Sequence, residues 1–311
     1  MEAGQEVARA PAVPVAKTGG GGRWRRNLTG WGFMLPFMAA YALFLIWPVI
    51  LMFKYSFTNK SLVGTGGSQF LGFQNYGRIF GDPAFWQSLW HTVWFTILST
   101  PPLVILALVF AMLTNRVGRG QGIFRFSFFA PFVLPVSVVC LIWIWMYEPG
   151  FGLIDGVLGG ILGNVAWLGD PNVAMISIVI TTIWWTLGFN FVLYLAGLQE
   201  IPRELYDAAA VDGAGAWAQA RWITLPLLKR TTLLVLALQI LASLKIFDQV
   251  YIMTYGGPNF TTRPIIEYFY DQGFTAYQIG YASAVSVVYF VIILAASVAW
   301  FLFSRRREET V

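Results

Sequence analysis

The side chains that most often build catalytic or metal centres are nearly missing: the 311 residues hold one cysteine, Cys140, and one histidine, His91. A single thiol closes no disulfide within the chain, and neither residue has a partner of its kind to share a metal. Both are expected to be packing or interface residues. Charge is also scarce. Only 11% of residues are charged, 57% are hydrophobic and the mean hydropathy is +0.64. A soluble domain of this length needs a more polar surface, so lipid is the expected solvent. No Gly-x-x-x-x-Gly-Lys-Ser/Thr loop is present to cradle a nucleotide phosphate. No pair of carboxylates, metal cluster or Ser and His pair within an apolar run points to an intramembrane enzyme. The net charge of +5 does not imply nucleic acid, because the basic residues cluster beside apolar runs rather than along one amphipathic face.

What the chain does have is long uncharged runs. They lie near Trp31 to Phe53, Leu89 to Leu113, Phe126 to Tyr147, Ala174 to Leu198, Thr231 to Tyr255 and Tyr281 to Phe303. Each is close to the roughly 20 residues a helix needs to cross about 30 Å of hydrocarbon. The runs are continuous rather than alternating, which favours helices over a barrel. The expected fold is therefore an all-α membrane protein of six transmembrane helices. Residues 1–22, rich in Ala, Val, Pro and Gly, have no period that could bury a core and are expected to be a disordered tail. Arg23, Arg25 and Arg26 before the first run imitate a signal peptide, but that run is too long and further spans follow. Pro101 and Pro102 in the second span, and Pro131 and Pro135 in the third, are expected to bend their helices toward a cavity.

Lys and Arg set the sidedness. Arg9, Lys17, Arg23, Arg25, Arg26, Arg116, Arg119, Arg125, Arg203, Arg221, Lys229, Arg230, Arg305, Arg306 and Arg307 fall in the tails and the even connections. Lys54, Lys60, Arg78 and Arg263 fall in the odd ones. The positive-inside rule puts both termini and the fourth connection in the cytoplasm.

That fourth connection carries the most specific motif: Tyr206-Asp207-Ala208-Ala209-Ala210-Val211-Asp212-Gly213, then Ile223-Thr224-Leu225-Pro226. Pro202 suits a helix start, and Gly213 suits a left-handed end where another residue would be strained by about 1 kcal/mol. A second short helix is expected over Ala216 to Trp222. The spacing resembles the coupling signature of bacterial ABC import permeases, Glu-Ala-Ala, three residues, Gly, nine residues, Ile-x-Leu-Pro, with Asp207 in the Glu place. Further segments resemble the sugar branch, MalF/UgpA type: Pro48 with Ser56-Phe57, Phe70-Leu71-Gly72-Phe73-x-Asn75-Tyr76, Asp82-Pro83-x-Phe85, Phe247-Asp248-Gln249-Val250-Tyr251 and Gly256-Gly257-Pro258.

The resemblance implies a type I ABC importer permease bundle over 23–307, a cytoplasmic coupling loop over 200–226 and a short tail over 308–311. It implies a carbohydrate as cargo: an oligosaccharide, monosaccharide, polyol or sugar phosphate. It also implies a bacterial inner-membrane setting, a second permease subunit of MalG/UgpE type, two copies of a cytoplasmic ATPase and an extracytoplasmic solute-binding protein. The chain is then not an enzyme and binds no cofactor, ATP and Mg being used by the ATPase. The loop residues carried over are Glu204, Asp207, Ala208, Ala209, Gly213, Ile223, Leu225 and Pro226.

For the solute pathway, Gln239, Ser243 and Ile246 share a face of the fifth span with Val250, and Asn190 lies in the fourth. Two roles fit Gln239 and Ser243, solute contact or bonding to a neighbouring helix. Lys245 and Asp248, three apart, are placed for an intramembrane ion pair near the outer mouth, since each charge alone would cost roughly 2.5–3.5 kcal/mol at membrane depth. The same two residues would serve an ion-gradient-driven secondary transporter, the alternative class. Trp143, Trp145, Trp184 and Trp185 could stack on sugar faces, but aromatics gather at membrane interfaces for their amphipathicity alone, so none is named for the site.

Overall fold

A computed structural model describes residues 21–63, 68–118, 120–163 and 165–308. Residues 1–20, Arg119 and residues 309–311, which carry parts of the expected tails and of the basic count, lie outside them. Among the described residues the regular structure is helical, with one antiparallel bridge between Thr58 and Phe70. The chain divides after Leu51 into two units. In the first, α1 (Gly21–Tyr41) runs through a π-helical turn, Ala42–Ile46, into α2 (Trp47–Ser56). Gly21 and Gly22, expected in the tail, thus open a helix, and Trp31–Ser56 is long and apolar enough to cross a membrane.

The second unit takes in the end of α2 and continues with α3 (Gln74–Phe80) and α4 (Pro83–Arg116). Asp82 caps α4 by accepting from the Ala84 N–H at 2.9 Å, and Pro83 takes the first helical place, where no donor is needed. α4 continues as one helix through Pro101 and Pro102. The third span does break. α5 (Gln121–Val133) and α6 (Val136–Met146) meet at 97°. The cause is Pro135, which forces Leu134 out of the helical region to φ −70°, ψ 140°. After α7 (Leu153–Leu162), α8 (Ala174–Gln199) is uninterrupted.

The fourth connection holds α9 (Arg203–Val211) and α10 (Ala216–Gln219), which leads through a π-helical turn, Ala220–Thr224, into α11 (Leu225–Leu227). α12 (Lys229–Leu244) follows at 65° to that segment. The expected fifth span to Tyr255 is interrupted: Lys245 and Phe247 leave the helix, and α13 (Asp248–Met253) is a separate piece. α14 (Ile265–Tyr270), a π-helical turn at Asp271–Thr275 and α15 (Ile279–Glu308) complete the chain. Trp31–Ser56, Pro83–Arg116, Ala174–Gln199 and Ile279–Leu302 qualify as unbroken spans, and six result if each bent pair is one span.

Three clusters organise the second unit. Val104, Ala107 and Ala111 of α4 meet Phe191, Tyr194 and Leu198 of α8 and Val235 of α12. Phe95, Cys140, Trp143, Ile178, Ile246 and Val250 join α4, α6, α8 and α13. Ile79, Phe85, Ile265, Tyr268, Tyr281 and Tyr289 join α3, α4, α14 and α15. Gly188 lets α8 touch α5 directly, since a Cβ there would lie 2.2 Å from the Phe128 carbonyl oxygen. Large apolar side chains such as Ile105, Leu113, Phe126, Leu141 and Leu294 stay exposed, as helices solvated by lipid require.

Candidate functional site

The signature loop forms a helix, a sharp turn and a helix. Gly213, at φ +80°, ends α9 in the left-handed region. Its N–H donates to Ala210 at 3.0 Å, and the next, of Ala214, donates to Ala209 at 2.8 Å. These two bonds satisfy carbonyls at the helix end and define a Schellman motif. Tyr206 and Ala209 are half-buried, while Glu204, Leu205, Asp207, Ala208 and Val211 are exposed. The exposed face is thus a mixed acidic and apolar one, and small Ala208 leaves the backbone approachable.

The loop is tied down from inside. The Tyr206 hydroxyl lies 2.9 Å from Thr224 Oγ1, Gln219 Nε2 donates to the Ala214 carbonyl at 3.2 Å, and Arg116 at the end of α4 donates to the Ala216 carbonyl at 3.2 Å. Ile223 packs with Tyr206 against the α4/α8 cluster, whereas Leu225 and Pro226 are exposed. A cleft of about 710 Å³ remains between the loop and the ends of α4, α5 and α8, with Arg116, Gln121, Gln199 and Arg203 in its wall.

Deeper in the bundle, a cavity of about 300 Å³ is lined by Asn190, Gln239, Ser243 and Ile246, so all four residues named for the solute pathway meet there. Of the two roles weighed for the polar ones, bonding to neighbouring helices is present. Asn190 Nδ2 donates to Gln239 Oε1 at 2.9 Å, Gln239 Nε2 donates to Ser243 Oγ at 3.1 Å, and Ser243 Oγ lies 3.2 Å from Ser99 Oγ and 3.4 Å from Thr100 Oγ1. The chain links α8, α12 and α4 and offers hydrogen-bonding atoms to whatever enters.

Lys245 and Asp248 line the same cavity but do not form the expected ion pair. Among the described residues, the one salt bridge within 4.0 Å joins Arg263 and Asp271. Helical spacing of three would have brought them together, but the helix ends between them: Lys245 sits at φ −95°, ψ 18° and Phe247 at φ −152°, ψ −62°. Both residues are exposed at the edge of the cavity rather than paired across it.

Several lining residues escaped the sequence reading. Thr182 and Thr186 stand at intervals of four before Asn190, a polar stripe on one face of α8 that the spacing alone would have given. Trp185, not named for the site, lines the cavity, and its Nε1 donates at 3.2 Å to the Leu134 carbonyl at the break in the third span. Phe132 comes from that same break, which is what brings the third span to the cavity.

The end of the unit remote from the signature loop is dense with side-chain bonds. Asp82 accepts from Tyr281 at 2.8 Å and from Tyr268, and Arg78 stacks over the Tyr281 ring at 4.1 Å. Burial pushes the Asp82 carboxyl upward, but the tyrosine hydroxyls and backbone N–H donors outweigh it and hold the group below its ordinary range.

Residues 77–309 match the family model described as "Binding-protein-dependent transport system inner membrane component". The chain is 34% identical to the sulfoquinovosyl glycerol transport system permease protein SmoG of Agrobacterium fabrum, over 88% of this chain and 90% of that one. It is 34% identical to the trehalose/maltose transport system permease protein MalF of Thermococcus litoralis, over 92% and 97%. A chain of a bacterial alginate ABC transporter, solved in complex with an alginate pentasaccharide-bound periplasmic protein, superposes with a TM-score of 0.82. It is 22% identical and the match covers 92% of this chain and 96% of that one.

Proposed function

Because this chain belongs to the family of binding-protein-dependent transport system inner membrane components, we propose that it forms half of the translocation pathway of an ATP-driven importer for a carbohydrate. One observation carries the coupling part: the helix, left-handed Gly213 and helix of the signature loop present an exposed face beside a cleft, anchored from within by Tyr206 and Arg116. Such an element receives force from a partner without rearranging its own core. The relatives named for sulfoquinovosyl glycerol and for trehalose/maltose support a glycoside or oligosaccharide as cargo. The amide and hydroxyl groups of Asn190, Gln239 and Ser243 suit sugar hydroxyls, and Trp185 and Phe132 offer faces for a pyranose ring.

In this reading the partners are a second permease of MalG/UgpE type, two copies of a cytoplasmic ATPase that uses ATP and Mg, and an extracytoplasmic solute-binding protein. The chain is itself neither an ATPase nor a cofactor protein. Residues 23–307 act as the permease domain, 200–226 as its cytoplasmic coupling loop, and both termini face the cytoplasm as the Lys and Arg distribution requires. Closure of the ATPase pair pulls the loop and rocks the bundle between inward- and outward-open states. Membership in the family sets aside the ion-gradient transporter, and the unpaired geometry of Lys245 and Asp248 removes its proposed coupling element. The test is sugar uptake into proteoliposomes holding the reconstituted complex. Uptake is expected to require ATP and the binding protein and to survive collapse of ion gradients; uptake without ATP would overturn the proposal.

A further inference from the structure

A carboxyl pair, Glu267 buried and Asp271 half-buried, lies at the end remote from the signature loop, outside both the loop and the cavity. Glu267 on α14 has no exposed surface, and neither of its carboxyl oxygens has a hydrogen-bond partner. Asp271, one turn further on, also buries an unpartnered Oδ1, while its Oδ2 lies 3.9 Å from Arg263 Nη1. The enclosure is tight. Gly256, at φ +71°, brings its backbone so close that a Cβ there would stand 2.9 Å from Arg263 Cβ and 3.0 Å from Glu267 Oε1. Arg263 is fixed by its own contacts, its guanidinium stacking at 4.1 Å over Phe260 and at 5.2 Å over Tyr268.

A buried carboxylate with no donor is among the most costly states a side chain can take. One guanidinium balances one carboxylate, and two neighbouring carboxyls do not both ionise readily in a dry site. We propose that Glu267 and Asp271 form a proton-binding site in which Glu267 keeps the proton and Asp271 stays ionised against Arg263, so that packing of residues 254–278 onto α4 and α15 is linked to proton uptake. Burial and then the charge of Asp271 push the Glu267 carboxyl up to about 8, with Arg263 opposing. Asp271 is raised by burial, again against Arg263.

The other ionisable groups on the elements packed around α14 are engaged elsewhere. On α4, His91 Nδ1 lies 3.2 Å from the Arg263 carbonyl, and Asp82 at its cap accepts from Tyr268 and Tyr281. On α15, the Tyr289 hydroxyl donates to the Leu244 carbonyl. No group supplies a donor to Glu267. The sign follows from the raised value. Packing is fully favoured below the ordinary 4.5 of an exposed glutamate, weakens as pH rises from there toward about 8, and changes no further above it.

The test is an infrared pH titration of the purified full-length chain in lipid nanodiscs, paired with hydrogen exchange of residues 254–278. A protonated-carboxyl band that titrates near pH 8 is expected in the wild type, absent from Glu267→Gln and moved to lower pH in Asp271→Asn. Exchange, corrected for its intrinsic pH dependence, should quicken between about pH 5 and about pH 8 in the wild type and stay flat in Glu267→Gln. A band or exchange profile unchanged in Glu267→Gln would overturn the proposal. Should that variant fail to fold, a band unmoved in Asp271→Asn would do the same.

Discussion

The two ends of the second unit are held together by different means. At the signature end the geometry is made by backbone: the α9 cap, the left-handed Gly213 and carbonyls bonded by Gln219 and Arg116, while Trp217 and Val211 remain 78% and 87% exposed. At the remote end side chains do the joining. Asp82, Tyr268 and Tyr281 bond across three elements, and Glu267 is enclosed beside Gly256 and Arg263. The signature end thus leaves large side chains exposed, whereas the remote end spends its side chains on bonds between its own elements.

Glycine substitutions break this comparison most sharply. A Cβ at Gly280 would stand 2.0 Å from the Thr58 carbonyl oxygen, so Gly280→Val should displace the start of α15. The expected cost is at the upper end of the 1–3 kcal/mol of an overpacked core, or more, visible as loss of folded protein in size-exclusion chromatography. Asp82→Asn should cost about 1.5–3 kcal/mol by weakening charge-assisted bonds to the tyrosines. Because the Asp82 carboxyl is held below its ordinary 3.8, its contribution is full above that value and lost as pH falls through the depressed one. Thermal unfolding of the wild type should therefore decline at acidic pH through a component that the Asn variant lacks.

At the signature end the same kind of change should act on function more than on stability. Nothing lies within 4 Å of a Cβ built at Gly213, so Gly213→Leu meets only the strain of φ +80°, about 1 kcal/mol. Inserted, folded protein whose uptake is uncoupled from ATP hydrolysis is the expected result, and normal transport would count against a coupling role. Between the ends the cost to stability is similar. Gln239→Ala removes two hydrogen bonds worth about 0.6 kcal/mol each in a membrane, so unfolding should shift by about 1 kcal/mol while sugar uptake falls.

The signature end was legible in the sequence and the remote end was not. Gly213 and the helices flanking it follow from local backbone preferences and fixed spacing, and the structure places them as expected. Cavity residues Asn190, Gln239, Ser243 and Ile246 could also be read, because polar residues in apolar helices stand out. Proline marked the bend of the third span, which falls at Leu134 just before Pro135. Hydropathy registers how apolar a window is and is indifferent to where a helix stops, so it passed over the break at Lys245 to Phe247. The ion pair inferred for Lys245 and Asp248 fell with that break. Glu267 and Asp271 lie between spans, four residues apart, with no apolar background to mark them, and only the fold shows that Glu267 is enclosed.

The connection after the first span closes against the chain just before the last one. The Gly280 N–H donates to the Lys60 carbonyl at 2.8 Å, the Leu62 N–H to Tyr277 at 3.0 Å, and the Ser61 hydroxyl to the same Tyr277 carbonyl at 3.0 Å across 216 residues of sequence. A ribosome adding about 5–20 residues per second needs on the order of ten to forty seconds to supply that stretch. Until the final helix is made, the Lys60 segment waits without its mate, so truncation before α15 would leave the earliest-made connection unclosed.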